Sequence, residues 1–343
     1  MSLLNLNVGR ILGKETPTIL SDVGDWQFTS NVGIEVEVER FNWNAPQNLS
    51  HWQFTSDSSL RDNGAELISR ILSGRNVYRA VHDLSEYFLE HQGDAAFNER
   101  TSLHVHLDIT DLTVNQLKNM VYLCIGLEPL LMQCVHSSRR NNNFCLEVKA
   151  ANEVTNRLGR MFRATSESGF VERMSRISPS GFKYAATNFA NMARLGTIEF
   201  RMHHGTADKA TILRWVGLLC KIKRVAVSYE SVSEIRNAKV NQDLATHFCD
   251  IMSDVPSFEL DYPEVIDLLE ESFEYANDIE VENLGNSTRM LEAFRIPVPQ
   301  QESIPVPQQA SIPVHDEFPE VQVTELTLSQ RLQRLRNNYN QIT

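Results

Sequence analysis

The sequence predicts an α+β fold built from short strands and amphipathic helices. Four segments alternate apolar residues with acidic, imidazole or guanidinium side chains, which is the two-residue period of a half-buried strand. Longer segments repeat apolar residues at three- and four-residue intervals, as amphipathic helices do. The 343 residues, 42% hydrophobic and 22% charged, suffice for one large domain or two ordinary ones with a sizeable core.

Composition narrows the function classes. The formal net charge of −12 argues against a nucleic-acid-binding surface as the main function, because duplex binding needs a basic footprint. The five cysteines are odd in number and lack a C-x-x-C spacing, so they predict reduced thiols and neither a disulfide framework nor a zinc site. No signal core and no run near the ~20 apolar residues of a membrane span is present. We therefore expect a cytoplasmic protein without a membrane partner.

The first strand is expected at Val32–Arg40, after an N-terminal arm in which Asn5–Leu12 could itself pair as a strand. Alternation within the strand places Glu35, Glu37 and Glu39 on one face, with neighbouring carboxylates roughly 6.5–7 Å apart. Divalent cations are the usual partners of such clustered carboxylates, so a metal site is one interpretation. An exposed strand with a solvated acidic face is the other.

Two short strands follow. Trp52–Thr55 is strand-like and leads into a turn at Asp57-Ser58-Ser59, where Asp and Ser are favoured. Ala65–Ser69 then places Glu66 and Ile68 on one face and Leu67 on the other. A single Glu on a short strand is more often a surface residue than a ligand, but the two apolar neighbours of Glu66 weaken that interpretation.

Helical periodicity spans Asn76–Glu90, and the next strand, TSLHVHLDIT, alternates again. Its polar face carries His104, His106 and Asp108. Two imidazoles on one strand face are typical of metal or substrate ligands, whereas an isolated strand histidine is usually structural.

A long apolar helix is predicted at about Val114–His136, with Thr113 as its N-cap. Arg139 and Arg140 follow it. They either complement the negative end of the helix dipole or capture a phosphate group.

The poorly periodic segment 146–180 predicts a long connection, either a functional flap or a mobile loop. Tyr184–Ala193 and Gly196–His203 are then expected to be two strands joined by a short turn. The second strand would present Glu199 and Arg201 on one face, together with Thr197 and His203. A cross-strand ion pair and a carboxylate metal ligand beside a phosphate-binding Arg are both compatible with this pattern.

The remaining chain predicts helices and a tail. Amphipathic helices are expected at Ala207–Ser228, Asn241–Ile251 and Pro263–Tyr275. From Ile296 an eight-residue repeat, IPVPQQES and IPVPQQAS, favours polyproline II, and a helix is predicted at Thr327–Gln341. The expected organisation is an arm, a main domain, a helical extension, a proline-rich linker and a C-terminal helix, at residues 1–27, 28–230, 231–293, 294–318 and 319–343.

In this order, the motifs resemble the amidoligase family, of phage type, within the carboxylate–amine ligase superfamily of glutamine synthetase and glutamate–cysteine ligase. The resemblance covers about residues 30–225. It rests on Gly33-x-Glu35-x-Glu37, Asp57-Ser58-Ser59, Glu66-Leu67-Ile68-Ser69, His104-x-His106, Arg139 or Arg140 with Phe144-Cys145, and Glu199-Phe200-Arg201. Each motif alone is weak, and two positions depart from the family pattern: Phe144, where Tyr is expected, and Ser58, where Gly is usual.

The resemblance implies a glutamine synthetase-like curved antiparallel sheet with helices on its convex side and the site on its concave face. It implies ATP, Mg²⁺ or Mn²⁺, and amide or peptide bond formation through an acyl phosphate. The implied metal ligands are Glu35, Glu37, Glu66, His104 and Glu199, with Glu37 and Glu66 on one ion and the other three on a second. His106 would face the substrate carboxylate or a phosphate. Arg201 and one of Arg139 and Arg140 would bind the ATP phosphates.

The favoured function is therefore an ATP-dependent ligase that joins an amine to the carboxylate of an amino acid, peptide or protein. The alternative is a phage virion or assembly protein that keeps the fold and docks a partner through residues 296–343, located in the host cytoplasm or the virion. A homo-oligomer is compatible with both. A hydrolase or cyclotransferase is less favoured, because nothing in the sequence resembles an activated nucleophile with its base.

Overall fold

A computed structural model describes residues 2–16, 28–140, 142–143, 145–148, 152–177, 184–237 and 262–282. Six strands form one open antiparallel sheet in the order β2-β3-β1-β4-β6-β5. Their bounds are β1 Val32–Val38, β2 Trp52–Ser56, β3 Ala65–Ser69, β4 Ser102–Asp108, β5 Thr187–Asn188 and β6 Thr197–His204. With the helices below, this arrangement confirms the α+β class.

The helices in the described ranges are α1 Val8–Leu12, α2 Arg75–His91, α3 Val114–Gln133, α4 Asn152–Phe162, α5 Glu167–Ser175, α6 Asn191–Leu195, α7 Lys209–Ser228, α8 Val232–Asn237 and α9 Tyr262–Glu282. The predicted cap of α3 is confirmed, because Thr113 forms a capping box with Gln116. Asp208 caps α7 by accepting from the backbone N–H of Thr211. Short 3-10 turns cover Leu3–Asn5 and Ser137–Arg139.

One face of the sheet packs into the hydrophobic core. The apolar residues of β1, Ile34, Val36 and Val38, are fully buried, as the period-two pattern predicts. Helices α2, α3 and α7 contribute buried residues to the same core. Helix α9 packs against α3, where the ring of Phe273 occupies the space that a side chain at Gly126 would need. The opposite face of the sheet is therefore left to the polar residues of the same strands.

The segment 146–180 is more regular than predicted. Helices α4 and α5 occupy most of it, and their residues Leu158, Met161, Phe170 and Met174 are buried in the core. Ser166 caps α5 by accepting from the N–H of Gly169. The many arginines between these apolar residues obscure the helical period, which is why the sequence predicts an irregular connection instead.

The predicted strand Tyr184–Ala193 is also mostly wrong. Only Thr187 and Asn188 form a strand, β5, that pairs with β6, and α6 occupies the end of the predicted segment from Asn191 onward. This helix ends at Gly196, whose φ of 75° is a left-handed conformation that glycine adopts without strain.

A β-bulge in β6 changes which residues face the core. His106 pairs with Glu199 and Leu103 pairs with His203, so the register shifts by one residue between them. The predicted placement of His203 beside Glu199 and Arg201 is therefore wrong. His203 is buried with its ring centre 5.0 Å from that of Trp215 on α7, and burial lowers its pKa to about 3.

The N-terminal segment packs on the main domain, but it is not the strand that Asn5–Leu12 suggests. Val8 is buried, and its N–H donates to the carbonyl of Leu112. Gly9 lies so close to Thr110 that a Cβ would be 2.7 Å from its carbonyl oxygen. Asn7 forms an isolated antiparallel bridge with Thr113, so this bridge and close backbone packing, without a regular strand, hold this end of the chain.

Several predictions fall outside the described residues: the helix at Asn241–Ile251, the proline-rich linker, the C-terminal helix and the side chain of Phe144. Among the helices that the structure describes, none has both the length and the apolar character that a membrane span requires. The helix predicted at Pro263–Tyr275 is confirmed within the longer α9.

A buried carboxyl group on α3 links the core to the segment that precedes α4. Glu128 is 2% exposed, and its two oxygens accept from the N–H of Val148 at 2.5 Å and the hydroxyl of Thr187 at 2.7 Å. Burial raises its pKa from 4.5 to about 8 despite these hydrogen bonds. The unfolded chain therefore releases this proton at a lower pH than the folded protein.

We expect the free energy of unfolding to fall as the pH rises from about 4.5 to about 8, by up to ~1.4 kcal/mol per pH unit from this group. Glu128→Gln removes that contribution, because the amide that replaces the carboxyl group does not titrate. Denaturant unfolding at pH 5.5, 6.5 and 7.5 measures the difference. The exposed Glu271→Gln on α9 is the control, and equal slopes for both variants and the wild type would contradict the assignment.

Candidate functional site

The face of the sheet opposite the core carries a cluster of charged side chains from four strands. Strand pairing puts Glu37 opposite Glu66, Glu35 opposite His104, and His106 opposite Glu199. Directly opposed residues project from the same side of a sheet. The cluster comprises Glu35 and Glu37 of β1, Glu66 of β3, His104 and His106 of β4, and Glu199 and Arg201 of β6.

Glu35 lies at the centre of this cluster and contacts both histidines. Its Oε2 is 3.0 Å from His104 Nδ1, and its Oε1 is 3.2 Å from His106 Nε2. Burial alone would raise the pKa of this carboxyl group, but the contacts with His104 and His106 outweigh it and lower the pKa. Glu35 is therefore ionised, and its two oxygens connect His104 to His106.

Ser102 connects Glu37 to His104. Its N–H donates to Glu37 Oε2 at 2.9 Å, its hydroxyl donates to the same oxygen, and its Oγ is 2.7 Å from His104 Nε2. These contacts fix the ring so that Nδ1 faces Glu35 and lies 3.7 Å from Glu199. Sequence reasoning missed Ser102, although the period of two places it on the face of His104 and His106.

Glu199 is almost fully buried and accepts hydrogen bonds at both oxygens. Asn188 and Asn191 donate to its Oε2 at 2.8 and 2.6 Å, and Arg201 donates to its Oε1. Burial opposes ionisation, but the charge of Arg201, followed by the two histidines, lowers the pKa of this carboxyl group. The two asparagines were also missed, because they lie in the segment predicted as a plain strand.

A hydroxyl group also orients His106, as Ser102 orients His104. Its Nδ1 is 3.0 Å from the hydroxyl of Thr197, and its Nε2 lies 3.9 Å from Glu199 Oε1. Thr197 was predicted on this face, but its contact with an imidazole was not.

Glu66 is the least favourably placed carboxyl group. Burial, followed by the charges of Glu35, Glu37 and Asp57, raises its pKa to about 8. No cationic side chain contacts its carboxyl group in the part of the chain that the structure describes. A bound cation would remove this repulsion.

The cluster contains two groups of three residues that could each hold a metal ion. Within each group, one potential ligand atom per residue lies within 4.8 Å of the other two. The first group is Glu35, Glu66 and His104, and the second is Glu35, His106 and Glu199. The ligand groups that the family resemblance implies are different. They place Glu37 with Glu66 on one ion, and they do not include His106 as a metal ligand. In the structure Glu37 Oε2 is bonded to Ser102, and His106 takes a place beside Glu199.

The three arginines have different surroundings. Arg201 Nε is buried without a hydrogen-bond partner within the described residues, while its other end donates to Glu199. Arg139 is fully buried and donates to the carbonyls of Arg201, Glu99 and Met202 at 2.9, 3.3 and 3.4 Å. It therefore supports the backbone of β6 directly behind the cluster, and its role as a phosphate ligand stays a prediction.

Arg140 donates instead to the carbonyls of Met132 and Gln133, each at 3.1 Å, at the end of α3. This contact matches the helix-dipole interpretation of the sequence. No contact of the described residues joins Arg140 to the carboxylate cluster, so its phosphate-binding role also stays a prediction.

Two carboxylates that alternation placed on this face lie outside the cluster. Glu39 follows the end of β1, where its oxygens accept from the N–H of Arg61 at 2.9 Å and from Asn98 at 2.7 Å. Asp108, at the far end of β4, accepts from Asn31 and Thr110. Both stabilise local backbone structure.

A family model described as putative amidoligase enzyme matches residues 24–223. That range contains every member of the carboxylate–histidine cluster, as well as Ser102, Asn188 and Asn191. No curated protein matches the chain.

Replacing Glu66 by Gln should have opposite effects with and without metal. In EDTA at pH 9, above the pKa of about 8 at which Glu66 loses its proton, the variant should melt at a higher temperature than the wild type, because the repulsion of ionised Glu66 by Glu35 and Glu37 is removed. In Mn²⁺ it should lose most of the metal-induced rise in melting temperature. Thermal melts in both buffers test this, with Glu271→Gln as the exposed control. If Glu66→Gln melts at a lower temperature than the wild type in EDTA, then repulsion by Glu35 and Glu37 does not destabilise the wild type at Glu66.

Proposed function

Because this chain belongs to the amidoligase family, whose model covers the whole carboxylate–histidine cluster, we propose that it is an ATP-dependent carboxylate–amine ligase that forms an amide or peptide bond. The observation that carries the proposal is the convergence of two three-residue ligand groups that share Glu35. Arg201 lies beside both groups, bonded to Glu199.

The donor set suits hard divalent cations. Carboxylate oxygens are the preferred ligands of Mg²⁺, and Mn²⁺ accepts carboxylate and imidazole together. Glu35, Glu66 and His104 would hold one ion, and Glu35, His106 and Glu199 a second. When bound, Mg²⁺ neutralises charge on the phosphate oxygens of ATP. The position of Glu66 beside Glu35 and Glu37 supports this assignment, because a cation bound there would favour the ionised form of a carboxyl group whose pKa burial and these neighbours raise.

The proposed reaction has two steps. The substrate carboxylate takes the γ-phosphoryl group of ATP, giving an acyl phosphate and ADP. The amine nitrogen then attacks the acyl carbon, phosphate leaves, and the nitrogen loses a proton as the amide forms. Positive charge near the transferred group is the main requirement of such a transfer.

Arg201 is the side chain best placed to supply that charge. Its buried Nε–H lacks a hydrogen-bond acceptor among the described residues, and such a donor costs free energy until an anion reaches it. Glu199 holds the other end of the guanidinium in place. Arg139 would act from behind, by fixing the backbone of Arg201 and Met202 through its hydrogen bonds.

The histidines are oriented by hydroxyl groups on the side away from Glu35. Ser102 holds His104, and Thr197 holds His106. Such partners set the orientation and basicity of a histidine ligand, and Ser102 extends the network to Glu37. We therefore assign Glu37 a positioning role through Ser102, in place of the direct ligand role that the family resemblance implies.

We further propose that the sheet corresponds to the curved sheet of the glutamine synthetase superfamily, with the cluster on its concave face. We also propose a cytoplasmic location, and the carboxylate of an amino acid, peptide or protein as the substrate. The alternative function, a phage virion or assembly protein, depends on residues 296–343, which lie outside the described ranges. The full set of carboxylates and histidines favours the enzyme.

The deciding experiment incubates the full chain with ATP, Mg²⁺ and pools of amino acids or peptides and follows ADP and phosphate release. We expect substrate-dependent release that Glu35→Gln lowers by at least ~10³-fold, since Glu35 belongs to both ligand groups. Glu86→Gln, an exposed carboxylate on α2, is the control and should keep full activity. Turnover by Glu35→Gln at the wild-type rate would refute the assignment.

Ser102→Ala should lower turnover by about 10- to 100-fold and weaken Mn²⁺ binding by a similar factor. The reason is that the hydroxyl group that orients the proposed ligand His104 is lost. Ser102→Thr keeps the hydroxyl and should recover most of both properties. Calorimetric Mn²⁺ titration alongside the turnover assay separates this positioning effect from a general loss of fold. Unchanged Mn²⁺ affinity in Ser102→Ala would remove Ser102 from the mechanism.

A further inference from the structure

A small cavity lies where α9 passes α3 and α8, and its lining combines carboxylates with apolar side chains. Its volume is about 210 Å³. Pockets for drug-sized molecules span roughly 300–1,000 Å³, so a ligand of only a few heavy atoms suits this one. We call it the α8–α9 cavity. Within the described ranges its lining comprises Tyr122 of α3, Ile235 and Arg236 of α8, and Glu270, Phe273, Glu274 and Asn277 of α9.

The sequence of α9 brings its lining residues to one face of the helix. They follow one another at intervals of three and four residues, which places side chains on the same side of a helix. Phe273 is buried, and its ring centre is 5.3 Å from that of Tyr122. Ile235 of α8 is buried as well. The base of the cavity is therefore apolar, which suits a short hydrocarbon chain.

Hydrogen bonds hold the three helices around the cavity. Asn277 Oδ1 of α9 accepts from the hydroxyl of Tyr122 at 2.7 Å and from Nε of Arg236 at 2.8 Å. These two bonds connect α9 to α3 and to α8. A lining that is already fixed binds a small ligand at a lower entropic cost than one that must be ordered on binding.

Two carboxylates at the opening supply the charge. Glu270 and Glu274 are exposed, and neither has a cationic or hydrogen-bonding partner in the part of the chain that the structure describes. Residues four apart have Cβ atoms about 5–6 Å from each other, so both side chains reach one small cation. The adjacent Glu271 is turned about 100° around the helix and lies outside the lining. A solvated acidic helix face accounts for Glu271, but it does not account for two carboxylates above an apolar cavity.

We propose that the α8–α9 cavity binds a small primary amine in its protonated form, with the ammonium group at Glu270 and Glu274 and the carbon chain against Ile235 and Phe273. An ammonium group has three donors, and its hydrogen bonds to carboxylates are stronger than those between neutral groups. The positive charge of Arg236 in the lining disfavours a second ammonium group, so a monoamine fits better than a diamine. This site is independent of the proposed ligase function, because none of its residues belongs to the carboxylate–histidine cluster.

The test titrates n-butylamine into the full chain by calorimetry at pH 7, where alkyl amines are protonated. We expect saturable binding in the millimolar range that weakens as salt is added, because exposed ion pairs are individually weak and screened. The double variant Glu270→Gln with Glu274→Gln should weaken binding at least about fivefold, since both charge-assisted contacts are lost. Glu271→Gln, the exposed neighbour outside the lining, is the matched control and should change the affinity by less than about twofold.

Further probes keep the test decisive. Circular dichroism must show an intact fold for each variant, and Glu274→Gln alone replaces the double variant if that one is unfolded. Norvaline is butylamine with an added carboxylate, so tighter binding of norvaline identifies the ligand as a free amino acid and weaker binding identifies it as a simple amine. Absence of saturable butylamine binding, or equal affinity in the wild type and the double variant, would overturn the proposal. Tighter binding of butyrate, which lacks the amine, or of tetrabutylammonium, which is too bulky for the cavity, would also overturn it.

Discussion

The repulsion among carboxylates on one face of the sheet is the constraint around which the structure is arranged. The core needs the apolar residues of β1, and the pleat then forces Glu35 and Glu37 to the other side of the sheet. That side also carries Glu66 from the adjacent β3 and Glu199 from β6, beyond β4. Buried like charges are costly unless cations compensate them. Imidazoles, Arg201 and backbone or amide donors reduce that cost at every carboxylate of the cluster except Glu66. Among the described residues no cation compensates Glu66, so burial and the neighbouring carboxylates raise its pKa.

The supporting residues show how much of the fold serves this face. Asn188 and Asn191 come from β5 and α6, Ser102 from the start of β4, and Arg139 from the turn after α3. Each contacts a cluster residue or its backbone through a short hydrogen bond. Elements far apart in sequence therefore keep the side chains of the cluster in fixed orientations.

The sequence predicts the parts that depend on local periodicity and fails where tertiary contacts decide. The strands of Glu35, Glu66 and His104, and the face each residue occupies, follow from the period of two. The bulge that turns His203 into the core does not, because it arises from pairing with β4. Likewise, the partners of Ser102 and Asn188 depend on strand register. The helical period of α4 and α5 is obscured in the sequence by their charged residues. Which carboxylates share a ligand group could not be predicted, since that depends on distances between strands.

The bulge in β6 also has a practical consequence for anyone who randomises this strand. Before the bulge, odd-numbered positions such as 199 and 201 point to the charged face, whereas after it the parity inverts, so that 203 points inward and 204 takes the outward side. A library that varies every second codon across the whole strand would change residues of the charged face before the bulge and residues of the core after it. Its effects on the cluster and on core packing would then be mixed. Splitting the library at residue 202 separates them.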